Sequence, residues 1–202
     1  MVESKEESYK EVIAEIRNLH WENLGRSELQ QLMCLSYVAA LEFAEALRIA
    51  ERLYTTSRNV QELVAGELQT SNLVFDDYTG PGDHAAFLKH FLEKGNIQPR
   101  EGVRKAGAGY LEVCHSLSDE VRAMSVFSRE EELAGIFARI LEAAEWFGAD
   151  LAAYRYFLES HIRLDSQEGG HHDLTKEFPI DSRVGDFYRA RLDMYRSLPG
   201  LF

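Results

Sequence analysis

From Ser27 to Tyr54 the chain repeats apolar residues at helical spacing, with Leu29, Leu32, Met33, Tyr37, Leu41, Ala44 and Leu47 covering much of the surface of one long helix. A helix that is apolar on so much of its circumference must be surrounded by other elements, so it predicts a central position in a helical core. Ser27, with Gln30 three residues on, predicts a capping box at its start.

The rest of the sequence supplies the surrounding elements. Tyr9, Val12, Ile13 and Ile16 mark a helix over 4–18. Further helices are predicted over 58–73, from His84 to about Gly95 with Asp83 as cap, and over 100–116, where Gly107 and Gly109 allow close packing or a bend. Three more follow, over 118–147 with a break near Ser128, 148–168 as far as Gly169-Gly170, and 181–197. No segment sustains period-two alternation, and there is neither an internal repeat nor a low-complexity linker. The expected fold is all-α, a single domain over 1–202, built as a bundle of about seven or eight helices.

Charge and cysteine usage narrow the function. A formal net charge of −12 and no dense Lys/Arg run argue against a nucleic-acid or anionic-membrane partner. Cys34 and Cys114 sit in helical patterns without metal-binding spacing, and read as buried free thiols in a reducing compartment. Met1 to Lys10 has no apolar core, and no apolar stretch approaches the roughly 20 residues of a membrane span. A cytoplasmic protein is expected.

Ionisable residues on apolar stripes are where chemistry is to be sought. In Tyr154–His172, the stripe Tyr154, Phe157, Leu158, His161, Leu164 and Asp165 carries an imidazole and a carboxylate four residues apart on one face, while Arg155, Glu159 and Arg163 lie opposite. Two such groups are costly to bury unless paired with each other or bound to a metal. Glu130 lies on the stripe Phe127, Glu130, Ala134, Phe137 and Leu141, with Glu131 and Glu132 pointing elsewhere. Asp76 to His84 forms a turn leading into a helix whose apolar face is Phe87, Leu88 and Phe91, with His90 off the face of His84. Carboxylate–histidine sets from facing helices are how helical bundles bind iron or manganese, although the twice-repeated Glu-x-x-His of ferritin-like proteins is absent.

Three motifs together resemble the haem-oxygenase-like di-iron oxidase superfamily, which shares its fold with haem oxygenase and with the TenA and PqqC proteins. Asp77 stands seven positions before His84, Glu130 follows as a middle glutamate, and His161-Ile162-Arg163-Leu164-Asp165 matches His-x-x-x-Asp. The stretches FSREEELAGIF and YFLESHIRLD are also similar to a domain family of unknown function within this superfamily, among its iron-containing redox enzymes. The resemblance covers about residues 60–172. It implies a haem-oxygenase-like bundle holding two iron ions on Asp77, His84, Glu130, His161, Asp165 and His171. The family's first acidic ligand is usually Glu, which brings in Glu67 as a competitor for Asp77. Its last histidine falls where Glu168 stands here, ahead of His171 and His172. Glu42 is a further ligand or a supporting partner.

The implied activity is oxidation of a small organic substrate by dioxygen, with an electron donor that the sequence does not name, in a chain that could form a homodimer. Family members cleave carbon–carbon bonds, hydroxylate nitrogen or modify their own side chains. The substrate would lie in an apolar pocket near Tyr37, Tyr154 and Tyr156. Three alternatives accompany this reading: a haem-binding protein using His20, a metal-free binding protein of the same fold, and a TenA-like hydrolase using Cys114 beside His115.

Overall fold

The computed structural model describes the backbone of residues 6–69, 73–80, 84–143, 147–166 and 171–202, and their side chains except those of 6–8, 131, 165, 166, 171 and 172. About 79% of the chain is helical, and the described residues contain no strand. The all-α expectation holds.

Helix α1, Glu6–Arg17, buries the expected stripe of Tyr9, Val12, Ile13 and Ile16. A 3-10 turn at Trp21–Asn23 follows, pinned by the fully buried Trp21, whose Nε1 donates to the Ile16 carbonyl at 3.1 Å. Helix α2, Arg26–Leu53, is the long helix expected. It begins one residue before Ser27, with Gly25 as cap and no side-chain capping bond, so the predicted capping box does not form. Ser27 lies inside the first turn, where its hydroxyl accepts from Arg100 Nη2, and Gln30 donates to Asp150 instead.

Helix α3, Arg58–Val64, is capped by Ser57 and passes directly into a π-helical turn, Ala65–Gln69. The predicted helix over 58–73 is thus shorter and changes its winding. The segment 73–80 is a turn, with Phe75 bridged to Tyr78 and Asp76 at φ 51°. Helix α4 spans His84–Lys94; its predicted cap, Asp83, lies outside the described residues. It ends with Asn96 at φ 48° and Ile97 N–H donating to the Leu92 carbonyl, a left-handed stop in which Asn replaces the usual Gly.

Helix α5, Glu101–Ser116, lies against α2, and at Gly107 a Cβ would meet Val38 Cγ2 at 3.1 Å. Helix α6, Asp119–Ala143, is continuous through Ser128, where a break was expected. Ser125 and Ser128 donate within the helix, to the carbonyls of Arg122 and Ser125, so both hydroxyls are satisfied without interrupting it. Helices α7 (Ala152–Ser166), α8 (His171–Thr175) and α9 (Gly185–Tyr195) complete the chain.

Helix α2 packs on α4, α5 and α6, while α6 also packs on α7, so α2 and α6 form the middle of the bundle. Every residue from 121 to 130 is buried, which makes the first half of α6 as central as α2. No helix of the described residues is long and apolar enough to cross a membrane. Cys34 and Cys114 are buried free thiols, as expected.

Candidate metal centre

Three side chains from separate elements meet inside this bundle. Glu67 sits in the π-helical turn and continues the buried stripe of Val60, Leu63 and Val64. It is 3% exposed. His84 is the first residue of α4, above the face of Phe87, Leu88 and Phe91, and is 4% exposed. His161, half-buried, follows Tyr154, Phe157 and Leu158 on the inner face of α7. A π-helical turn is a recurrent feature of functional sites because it re-aims side chains relative to regular helix.

Glu67 Oε2 lies 2.9 Å from His84 Nδ1, and His84 Nδ1 lies 3.0 Å from His161 Nε2. One ligand atom from each of the three falls within 4.8 Å of the others. Neighbouring ligands on an octahedral ion with bonds of about 2.1 Å stand about 3.0 Å apart, so this spacing suits a divalent metal. Two imidazoles and one carboxylate also make up the ligand set of many non-haem iron(II) oxygenases.

The tautomer of His161 supports the same fit. Its Nδ1 lies 2.7 Å from the Phe157 carbonyl, which can only accept, so Nδ1 carries the proton and Nε2 of the neutral ring is bare. Metal-binding histidines are typically oriented in this way by a carbonyl on the far nitrogen. A carboxylate oxygen and a bare imidazole nitrogen therefore both face His84 Nδ1, and a single N–H cannot serve the two fully. His84 Nε2 is buried without a hydrogen-bond partner among the described residues, so turning the ring exchanges the roles of its nitrogens. Phe43, Phe137 and Phe157 pack around the two imidazoles.

The three residues line a cavity of about 50 Å³ together with Glu130, Ser36, Arg129 and Arg191. Arg129 is held between the rings of Phe43 and Phe187, each 4.7 Å from its guanidinium carbon. Its Nη1 is 2.8 Å from Oε2 of the fully buried Glu42, a contact that is ionic rather than a well-aligned hydrogen bond. Arg122 Nε approaches the other Glu42 oxygen at 3.5 Å.

Of the residues predicted from sequence, His84 and His161 are brought together, and Glu130 lines the same cavity. Glu67 stands beside His84, whereas Asp77 is exposed and ion-paired with Lys94 at 2.9 Å, with His90 at 3.4 Å. The geometry thus places Glu67 in the position weighed for Asp77. The turn at 75–78 holds Asp77 outward, while Glu67 continues an apolar stripe. Glu42 is directed to Arg129 and Arg122. The side chains of Asp165, His171 and His172, and all of Glu168, lie outside the described residues.

His20 is exposed and paired with Glu22, and it does not line the cavity. His115 is exposed and paired with Glu45, whereas the adjacent Cys114 is buried. Burial, reinforced by the Glu42 charge, pushes the Cys114 thiol up to about 12, which disfavours a nucleophilic thiolate. Tyr154 is fully buried with its hydroxyl on Ser36 at 2.8 Å, and Tyr156 accepts from the Val74 N–H. Both act as packing residues here.

Arg129 and Arg191 were not anticipated. Arg191 sits on the buried face of Phe187, Tyr188, Met194 and Tyr195 at helical spacing, which is the signal that could have found it. Compared with known proteins, the chain matches no family model, no curated protein and no solved structure.

Proposed function

We propose that this protein is a non-haem iron oxidase or oxygenase that acts with dioxygen on a small organic substrate, and that Glu67, His84 and His161 bind the iron. The mutual spacing of their three ligand atoms carries this reading, together with the carbonyl that leaves His161 Nε2 bare. The likeness of the His84, Glu130 and His161 segments to the haem-oxygenase-like di-iron oxidases supports iron over other divalent metals. A second ion would draw on Glu130, with Asp165 and His171 as the remaining ligands the resemblance implies.

When bound, iron(II) supplies the binding and activation of dioxygen. The protein's own groups do the rest. Three ligands leave other coordination positions open. The Phe157 carbonyl holds the His161 ring in its ligating orientation, and Phe137 and Phe157 pack against that ring. The buried thiols suit a reducing, cytoplasmic setting.

A second reading takes Glu67, His84 and His161 as a metal-free hydrogen-bonded chain, since His84 Nδ1 lies within hydrogen-bonding distance of both neighbours. Anaerobic loading with Fe(II) followed by metal analysis separates the two. The iron reading expects at least one equivalent in the wild type, loss of it in Glu67→Ala and His161→Ala, and full retention in Asp77→Asn. A wild type that takes up none, or an alanine variant that keeps all of it, would leave the hydrogen-bonded chain as the better description.

A further inference from the structure

Arg191 is 3% exposed and lines the same cavity as Glu67, His84 and His161. Its Nε donates to Tyr195 Oη at 3.0 Å. No carboxylate among the described residues forms an ion pair with it, in contrast to Arg129, which has Glu42 and the Ser125 carbonyl and hydroxyl. A guanidinium stays charged at any ordinary pH, and burying it without a counter-charge costs several kcal/mol. An arginine kept in this position is matched to a negative group that arrives from outside.

The charges around the cavity lead to the same point. Arg129 and Glu42 cancel. Glu67 and Glu130 would balance one divalent ion bound beside them. The charge of Arg191 is left over among the described residues, and its planar fork suits a carboxylate held by two parallel hydrogen bonds. The cavity, at about 50 Å³, is large enough to hold more than one water-sized group, so a short carboxylate is the natural probe.

We propose that Arg191 is the anion-recognition residue of the cavity and that the ligand it selects is a small monocarboxylate. The proposal rests on the iron reading above, because without a divalent ion Glu67 and Glu130 outweigh the single charge of Arg191. Arg191 grips the carboxylate, and the remaining carbons lie within the space bounded by the two histidines.

The test uses the full chain loaded anaerobically with Fe(II), titrated calorimetrically with sodium acetate or with acetamide, its neutral isostere, against sodium chloride at equal ionic strength. Saturable binding of acetate, and none of acetamide or chloride, is expected. Arg191→Met should weaken acetate by at least about tenfold, the usual worth of a charged hydrogen bond, and Arg191→Lys by less. An equal response to acetate and acetamide, no saturable response to acetate, or unchanged acetate affinity in a folded Arg191→Met would overturn the proposal. The acetate–acetamide comparison is made on the wild type, so it stands even if the variants fail to fold. Iron uptake is measured separately: iron bound without acetate refutes only the anion site, and no iron uptake refutes the metal centre on which that site rests.

Discussion

Glu42 and Arg129 are both almost wholly buried near the middle of the bundle, and each depends on the other for its charge balance. Removing one partner leaves an uncompensated charge. Glu42→Ala should therefore cost about 3–5 kcal/mol in urea unfolding, and lower the melting temperature by at least about 6 °C. The thiols provide a second prediction. Burial pushes Cys34 up to about 11 and Cys114 up to about 12, above the ordinary value of 9.0. Above pH 9 the unfolded chain loses these protons first, so stability falls as pH rises from 9 towards 11, and the fall is shallower in Cys34→Ala/Cys114→Ala. Urea midpoints measured across that range check it. At this scale the sequence was legible where an ionisable residue interrupted an apolar stripe, as at His84 and His161. It was not legible at Arg129, because an arginine opening the run Arg129-Glu130-Glu131-Glu132 reads as solvated surface. Only the close approach of α2 shows that Glu42 waits opposite it.

Among the elements, helix α5 offers a paired test of packing. Val38 crowds the space a side chain would fill at Gly107, whereas nothing lies within 4 Å at Gly109. Gly107→Val should destabilise by about 1–3 kcal/mol through overpacking. Gly109→Ala should stabilise by about 0.5–1 kcal/mol by reducing the freedom of the unfolded chain. Thermal melts that ranked the two the other way would show that α5 does not approach α2 as described. Helix existence was readable from apolar periodicity, and the ranges of α1, α2, α4 and α5 fall within a few residues of those expected. Changes of winding were not readable. The π-helical turn at Ala65–Gln69 leaves no mark in periodicity, since Glu67 keeps helical spacing from Val60 and Val64. Nor could Ser128 be placed without knowing that its hydroxyl accepts from Tyr188 while donating within α6.

Across the whole molecule, the candidate metal centre draws on three segments that are remote in sequence and adjacent only in the folded bundle. Glu67 reaches it from the turn after α3, His84 from the start of α4 and His161 from α7. The sequence singled out His84 and His161 and held a further position open between Asp77 and Glu67. That choice depended on the turn at 75–78, which directs Asp77 towards Lys94 at the surface. The cavity beside these residues is bounded by the rings of Phe43, Phe137 and Phe157. Crystals grown anaerobically with Fe(II), with anomalous diffraction recorded at the iron edge, test this arrangement directly. A peak within about 2.3 Å of Glu67 Oε2, a His84 ring nitrogen and His161 Nε2 is expected. An iron peak found only at surface carboxylates such as Asp76 and Asp77, with none between the two histidines, would contradict it.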